Sequence, residues 1–257
     1  MSGSLNDLIS LMARLRSPDG CPWDRKQTTQ SLKPFLVEEC YEVIDALDEG
    51  DPHKIKEELG DLLFQIVFHA RIAEERGEFT IEDIIRTNIE KMTRRHPHVF
   101  GEGKLSTDKE VLANWEEIKK KEKGYEHRKS VLEGVPRELP SLLRAHRLQE
   151  RAARVGFDWK HLDEVLPKLD EELREFRESM EQDDADAIEE ELGDIFFTLV
   201  NISRFLEINP EEALRKTISK FIERFRTIEE KAAEQRRSLT DMTLEEMDKL
   251  WEESKGK

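Results

Sequence analysis

The stretch that decides the fold reads Glu-Glu-Cys-Tyr-Glu at residues 38–42 and, after fifteen further residues, Glu-Leu-Gly-Asp at residues 58–61. Side chains three or four positions apart share one face of a helix, so each segment presents its acidic residues on one side. The turn at residues 49–52, Glu-Gly-Asp-Pro, folds the second helix back antiparallel on the first. The spacing therefore predicts that up to five carboxylates converge, those of Glu38, Glu39, Glu42, Glu58 and Asp61.

Converging carboxylates repel one another unless cations lie between them. Hard divalent ions prefer such oxygen ligands, so the pattern predicts a site for Mg²⁺, with Mn²⁺ as a possible substitute. Asp and Glu account for 58 of the 257 residues, and in so acidic a chain one Glu-Glu-x-x-Glu is also typical of a solvated helix face. A surface helix is therefore the alternative to a metal site.

The same stretch occurs twice. Glu-Glu-Leu-Arg-Glu at 171–175 and Glu-Leu-Gly-Asp at 191–194 repeat it at an offset of 133 residues. Apolar, proline and glycine positions match at the same offset: Pro34 with Pro167, Leu36 with Leu169, Gly60 with Gly193, Phe64 with Phe197 and Val67 with Val200. Agreement at both acidic and apolar positions indicates an internal duplication.

The composition is that of an all-α protein, because charged residues make up 39% of the chain and β-branched runs are rare. A net charge of −16 argues against non-specific nucleic-acid binding, which needs a basic surface. The first residues do not show a signal-peptide pattern, and no apolar window is long enough to span a membrane. Cys21 and Cys40 have no metal-like spacing. We therefore expect a cytoplasmic protein with reduced thiols and with neither nucleic acid nor a membrane as partner.

Apolar periodicity, caps and helix breakers predict a similar order of helices in each half. The predicted ranges are 5–16, 32–47, 52–76, 80–95 and 112–123, then 141–154, 166–180, 185–206 and 210–236, and a last helix capped by Thr240 or Thr243. Two tandem helical-bundle domains follow, at residues 1–123 and 141–257, joined by a polar connection at 124–140. Each half is small, so we expect it to pack against its twin or another chain.

Basic and aromatic residues also recur in both halves. Pairs at i,i+4 spacing are Lys91 with Arg95, Lys220 with Arg224, Trp115 with Lys119, and Trp251 with Lys255. Beside a carboxylate–metal cluster, the cations could bind polyphosphate oxygens and the tryptophans could stack on a base. The alternative is that the charged pairs support surface helices and the tryptophans fill a core.

Several other kinds of site have no counterpart in the sequence. Glu-x-x-His is absent, which argues against a di-iron bundle. A Walker-type phosphate loop and a Gly-x-Ser-x-Gly nucleophile motif are absent as well. If the chain acts on a nucleotide, metal ions and side chains must therefore bind it.

Together, these motifs resemble the MazG family of all-α nucleoside triphosphate pyrophosphohydrolases, whose signature is Glu-Glu-x-x-Glu, a spacer and Glu-x-x-Asp. Further segments carry the resemblance: Gly-Cys-Pro-Trp-Asp at 20–24, His-Pro-His-Val-Phe at 96–100, Gly-Val-Pro at 134–136 and Gly-Phe-Asp-Trp at 156–159. The resemblance implies a helical homodimer with a housekeeping role, which cleaves NTPs and dNTPs to monophosphate and pyrophosphate with Mg²⁺. One departure is Thr217, where Asn88 holds the matching place in the first half.

The resemblance also implies roles for individual residues. Metal ligands are expected at Glu172, Glu175, Glu191 and Asp194, and at their counterparts Glu39, Glu42, Glu58 and Asp61. Glu171 is a candidate for orienting or deprotonating the attacking water, which places Glu171, Glu172 and Glu175 in the catalytic set. Expected substrate contacts are Lys220, Arg224, Trp251, Lys255 and Asn201, and in the first half Glu38, Lys91, Arg95, Trp115 and Lys119.

The two halves are not expected to be equivalent. After Asp194 the same helix face continues with Thr198 and Asn201, whereas the first half has Gln65 and Phe68 at those places. The second half therefore keeps a polar face one turn further, and we expect it to do most of the chemistry. Two rivals remain at this point: a non-catalytic module that binds a metal or a partner, and a narrow dUTP or dCTP pyrophosphatase.

Overall fold

The structure is a computed structural model that describes residues 3–101, 105, 107, 110–111, 114–115, 118 and 130–255. Contacts divide the chain into two compact units, Met1–Glu126 and His127–Lys257. The helices of the first unit are α1 (Leu5–Leu15), α2 (Pro22–Lys26), α3 (Lys33–Glu49), α4 (Pro52–Glu75), α5 (Ile81–Arg95) and α6 (Pro97–Phe100). Those of the second are α7 (Ser141–Ala153), α8 (Leu166–Gln182), α9 (Ala185–Phe205), α10 (Pro210–Glu234) and α11 (Leu244–Ser254).

Local sequence signals fix where the helices of the first unit begin and end. Ser4 and Thr80 form capping boxes with Asp7 and Asp83, which satisfy free backbone N–H groups at the starts of α1 and α5. Gly50 ends α3 in the left-handed conformation at φ 72°, which glycine adopts without steric cost. Helix α4 then begins at once and packs against α3, so the two form a helical hairpin.

The core of the first unit lies where α1 and α5 cover one side of α4. Its buried side chains come from α1, from the segment before α3, from α4 and from the start of α5: Met12, Leu32, Val67, Phe68, Ala70, Ile72 and Ile81. This cluster fixes one face of α4, while the face that carries the acidic residues packs against α3.

The second unit repeats the hairpin with α8 and α9, its most extensively packed pair of helices. Asp183 takes the place of Gly50 at the turn, also with a positive φ of 54°, which Asp tolerates better than most residues. Helix α7 packs on α9 and α10, and α10 packs on α11. A core between α10 and α11 contains Ile228, Ala232, Met242 and Leu250.

The expected all-α, tandem architecture is confirmed: the described residues contain no strand, and the hairpin occurs in both units. Two segments that the sequence predicts to interrupt the helices instead contain the short helices α2 and α6. In each, a proline in the first turn supplies a helical φ and has no N–H group that needs a partner. Most of the predicted helix at 112–123 lies outside the described residues. No described helix is both long and apolar enough to cross a bilayer. The domain limits and the cytoplasmic location stay predictions.

Phe68 tests whether the first unit depends on its core. The side chain is 1% exposed, so Phe68→Ala leaves a cavity and should lower the free energy of unfolding by about 3–5 kcal/mol. Phe100 is 64% exposed, so Phe100→Ala should change the free energy of unfolding by less than about 0.5 kcal/mol. Urea denaturation followed by circular dichroism measures both. Equal effects of the two substitutions would show that Phe68 does not anchor this core.

Candidate metal and nucleotide site

The hairpin of the second unit brings the predicted carboxylates together. Glu172 and Glu175 share a face of α8, and Glu191 lies opposite on α9. One carboxylate oxygen from each of these three residues lies within 4.8 Å of the others. Asp194, one turn after Glu191, lies with Glu172 on the wall of an adjacent cavity. Three of the four predicted ligands therefore form one group, and Asp194 lies beside it at the cavity.

The environment of these carboxylates suits a cation. Glu172 is buried, and the Oε2 atom of Glu191 is buried without a hydrogen-bond partner. Burial raises the pKa of Glu191, and the charges of Glu175, Glu172 and Asp194 raise it further. A buried, unpartnered carboxylate oxygen among like charges is costly, and a divalent cation would relieve both the repulsion and the missing contact.

Lys168 is a functional candidate that the sequence reasoning missed. Its Nζ lies 2.8 Å from Glu172 Oε1 and 3.0 Å from Glu171 Oε1. The signal was available, because Lys168 precedes these glutamates by four and three residues on one helix. Glu171 itself is exposed beside the cluster, and Lys168 holds its side chain.

The first unit forms a related cluster. One oxygen from each of Glu39, Glu58 and Asp61 lies within 4.8 Å of the others. Burial is the main cause that raises the pKa of Glu39 and of Glu58, and the charges of Glu42 and Asp61 add to it in both. Gln65 donates from Nε2 to Glu39 at 3.4 Å. Glu38 is exposed at the edge of the cluster.

A cavity of about 500 Å³ opens beside the carboxylates of the second unit. Its apolar wall consists of Leu132, Leu148, Ala152, Phe157, Trp159 and Phe197. Its polar lining includes Lys168, Glu172 and Asp194 at the acidic end, and the side chains of Gln149, Asp158, Thr198, Asn201 and Arg204. A mostly apolar cleft of this volume with a few polar groups is typical of a small-molecule site.

Two buried amides give the cavity a defined polarity. Gln149 donates from Nε2 to the Phe197 carbonyl at 2.8 Å, which fixes its Oε1 as an acceptor, and that Oε1 is buried without a partner. Asn201 accepts from Arg204 Nη2 at 2.8 Å through Oδ1, which leaves its Nδ2 as a donor. An ion pair between Arg204 and Asp158 holds this arginine in place. The two amides therefore add one acceptor and one donor to the cavity lining.

The same positions are closed in the first unit. At the offset of 133 residues Phe68 replaces Asn201 and Arg16 replaces Gln149. Phe68 is buried in the core, and the guanidinium of Arg16 lies over its ring, 5.4 Å from the centroid. An aromatic ring and a stacked arginine thus occupy the places that line the cavity in the second unit.

The arginine of each predicted Lys–Arg pair stacks on the tryptophan of its own half. Arg224 lies over Trp251 at 5.5 Å, and Arg95 lies over Trp115 at 5.1 Å. Lys255 pairs with Glu252, and Lys220 is exposed. None of these residues lines the cavity. Lys91 is half-buried on α5, and Lys119 lies outside the described residues.

Comparison with known proteins agrees with this duplicated site. The MazG nucleotide pyrophosphohydrolase domain matches the chain twice, at residues 27–100 and 160–228, and each match contains one carboxylate cluster. The chain belongs to the MazG family. The resemblance found in the sequence is thereby confirmed.

Relatives of this MazG-family chain align over nearly its whole length. A Thermotoga maritima protein named nucleoside triphosphate pyrophosphohydrolase/pyrophosphatase MazG is 51% identical over 97% of this chain and 95% of its own. An Escherichia coli nucleoside triphosphate pyrophosphohydrolase is 42% identical over 98% of this chain and 97% of its own. A Bacillus subtilis protein, YabN, is 51% identical over 96% of this chain but only 50% of its own length.

The raised pKa of Glu191 predicts how the acidic cluster affects stability. A carboxyl whose folded pKa is raised above its ordinary 4.5 stabilises the fold below that pH, and this contribution is lost as pH rises through the folded pKa. At pH 7 the ionised Glu191 therefore destabilises the metal-free protein. We expect Glu191→Gln to raise Tm by a few degrees in EDTA at neutral pH and to give no gain at pH below 4.5.

Glu189→Gln is the matched control, because Glu189 is exposed on the same helix and lies outside the cluster. Differential scanning calorimetry measures all three proteins across the pH range. A similar gain from Glu189→Gln, or a gain from Glu191→Gln that persists in acid, would contradict the electrostatic account.

Proposed function

We propose that this chain is a Mg²⁺-dependent nucleoside triphosphate pyrophosphohydrolase, which converts NTPs and dNTPs to monophosphates and pyrophosphate. Membership of the MazG nucleotide pyrophosphohydrolase family supports the reaction class, and so do the names of relatives that align over almost the whole chain. The acidic clusters support a divalent metal, for which all the candidate ligands are carboxylate oxygens.

The observation that carries the proposal is the junction of two unlike surfaces in the second unit. Glu172 belongs to the acidic cluster, Asp194 lies close enough for its charge to act on Glu191, and both residues line the apolar cavity. A nucleoside triphosphate has a matching division, since its base and sugar are largely uncharged and its phosphates need cations. With the nucleoside in the cavity, the phosphates would lie toward the carboxylates, which would hold the metal ion that neutralises them.

The residues of the site fit the steps of phosphoanhydride hydrolysis. Glu172, Glu175, Glu191 and Asp194 would hold Mg²⁺, which when bound neutralises phosphate charge and acidifies a water molecule. Glu171 lies next to these ligands and is exposed, so it can accept a proton from the water that attacks the α phosphorus. Lys168 provides a positive charge at the boundary between cluster and cavity.

The aromatic part of the cavity wall favours a broad choice of base over a narrow dUTP or dCTP pyrophosphatase. Gln149 Oε1 adds an acceptor and Asn201 Nδ2 adds a donor. Adenine and cytosine carry the donor and acceptor of the Watson–Crick edge in the opposite order to guanine, thymine and uracil, so the two groups of bases must turn differently in the cavity to pair with these amides. The aromatic rings of Phe157 and Trp159 on the cavity wall can contact any base through its face.

Two equivalent apolar faces support a homodimer. Leu192, Phe196 and Leu199 form an exposed stripe at i, i+4 and i+7 on α9. Leu59, Leu63 and Ile66 form the same exposed stripe on α4. Each stripe lies on a hairpin helix that buries other residues, such as Val67 on α4 and Val200 on α9. Burial of the stripe against a second helical surface would remove contiguous apolar area from water.

The bond that is cleaved provides a direct test. Incubation with ATP and Mg²⁺ should give AMP and pyrophosphate, identified by ³¹P NMR or ion-exchange chromatography, because nothing in the chain resembles a γ-phosphate-hydrolysing loop. Excess EDTA should abolish turnover, and Mn²⁺ should restore it. Formation of ADP and orthophosphate, or full activity in EDTA, would overturn the proposal.

Matched substitutions test whether the second unit is the catalytic one. Glu175→Gln removes a ligand charge beside the cavity and should lower kcat by roughly 100-fold or more. Glu42→Gln changes the equivalent residue of the first unit, where Phe68 closes the cavity, and should retain most of the activity. Circular dichroism should show unchanged helicity for both, since the substitution is nearly isosteric. Equal losses, or a larger loss for Glu42→Gln, would exclude the asymmetry.

A further inference from the structure

Lys168 occupies an unusual position among the cations of the second unit. Its Nζ contacts Glu172 at 2.8 Å and Glu171 at 3.0 Å, and its side chain also lines the cavity. Among the described residues the other cation paired with the acidic cluster is Arg174, which contacts Glu175 at 3.2 Å and lies mostly in solvent. Lys168 is therefore the cation placed between the carboxylates and the cavity.

The first unit has no lysine at this place. Phe35 stands at the equivalent position, 133 residues earlier, and its ring packs edge-on against Trp23 at 5.8 Å. The buried partner of the first cluster is the neutral amide of Gln65, which donates to Glu39. The two clusters thus share their carboxylate pattern. They differ in the group that contacts it, which is the ammonium of Lys168 in the second cluster and the neutral amide of Gln65 in the first.

Electrostatics explains what the lysine does in the absence of a metal. Glu172 is buried, and an ionised buried carboxylate needs a counter-charge. Lysine is ordinarily charged at neutral pH, and Nζ of Lys168 lies within hydrogen-bonding distance of both Glu171 and Glu172. Lys168 therefore supplies the positive charge that the carboxylates require.

A divalent cation and the ammonium of Lys168 would share the carboxylate of Glu172. Its Oε1 contacts Lys168, and the same carboxylate supplies one oxygen to the group formed with Glu175 and Glu191. A metal ion within that group would lie a few ångströms from Nζ, where like charges repel. The side chain is long and flexible, and the cavity that it lines gives it space to move toward the substrate side.

We propose that Lys168 is a displaceable counter-ion, which neutralises Glu171 and Glu172 in the empty site, is released when a divalent cation binds, and then pairs with a phosphate oxygen of the nucleotide. The inference rests on the proposed function for the identity of the two ligands. The consequence is thermodynamic coupling between metal binding and nucleotide binding. Metal alone must displace the lysine from the carboxylates, whereas metal together with nucleotide gives the displaced lysine a phosphate oxygen as its new partner.

Mn²⁺ titration by isothermal calorimetry tests the first half of this inference without any turnover. The full chain carries Glu58→Gln in every sample, which disables the first cluster and leaves the second to be measured. Lys168→Met keeps the apolar stem and removes the charge, and should tighten Mn²⁺ binding by about tenfold, the size expected when a unit charge a few ångströms from a divalent ion is removed in a water-like dielectric.

Lys216→Met is the matched control. It makes the same change in net charge on an exposed lysine of α10 that pairs with Glu212 at 3.4 Å, away from the site. It should leave Mn²⁺ affinity close to that of the parent. Lys168→Arg should also stay close to the parent, because the positive charge is retained.

The nucleotide arm uses a non-hydrolysable ATP analogue in saturating Mn²⁺. Lys168→Met should bind the analogue more weakly than the parent, although it binds Mn²⁺ more tightly. This opposite movement of two affinities distinguishes a displaceable counter-ion from a lysine that only stabilises α8, since a structural defect would weaken both.

The first unit provides the reverse experiment. In the full chain with Glu191→Gln, which disables the second cluster, Phe35→Lys should weaken Mn²⁺ binding at the first cluster. Phe35 is 36% exposed, so a lysine can be accommodated there. Unchanged Mn²⁺ affinity in this variant would count against competition between a lysine at this place and the metal.

The outcomes separate this inference from the function on which it rests. Absence of Mn²⁺ binding in the parent would overturn the metal centre and, with it, both proposals. Binding in the parent, with Lys168→Met no tighter than Lys216→Met, would overturn the role of the lysine alone and leave the pyrophosphohydrolase proposal standing.

Discussion

Repulsion between carboxylates that two packed helices force together is the constraint on which this structure depends. In each unit a helical hairpin places acidic side chains of one helix opposite those of the next, with candidate ligand oxygens within 4.8 Å. Burial and neighbouring charges raise the pKa of Glu39, Glu58 and Glu191. Because helix packing fixes the backbone, the charges cannot move apart freely, and the cluster must be neutralised by protons, by a cationic side chain or by metal ions.

The two units meet this constraint differently. In the first, an amide from Gln65 contacts the cluster, and the neighbouring volume is filled by Phe68 with Arg16 stacked on its ring. In the second, Lys168 contacts the cluster, and the neighbouring volume is a cavity with amides on its wall. One duplicated hairpin has thus given two different surroundings, and the cavity beside the second cluster has space for a nucleoside next to the carboxylates.

The stacked arginine–tryptophan pairs are a feature shared by both halves. Arg95 lies over Trp115 and Arg224 over Trp251. These contacts support the interpretation that the tryptophans have a packing role, and they also hold the guanidinium groups in place. Neither arginine lines the cavity. To bind phosphate, each arginine would therefore have to contact the nucleotide outside the cavity.

The all-α class, the duplication and the carboxylate positions are readable from the sequence alone. They follow from short-range periodicity, since residues three or four apart share a helix face. In the first unit a glycine turn followed by proline also marks where the hairpin closes. The spacing from Lys168 to its two glutamates was equally readable from the sequence. The substitution of Asn201 by Phe68 between the halves even indicated which site stays polar.

Only the tertiary structure decided how the second site is enclosed. Gln149 reaches the carbonyl of Phe197, 48 residues away, and Arg204 reaches Asp158 across 46 residues. The cavity joins α7, the loop before α8, and both hairpin helices. No periodicity within one helix specifies such contacts, because they depend on how three helices pack and on the volume that their side chains leave unfilled.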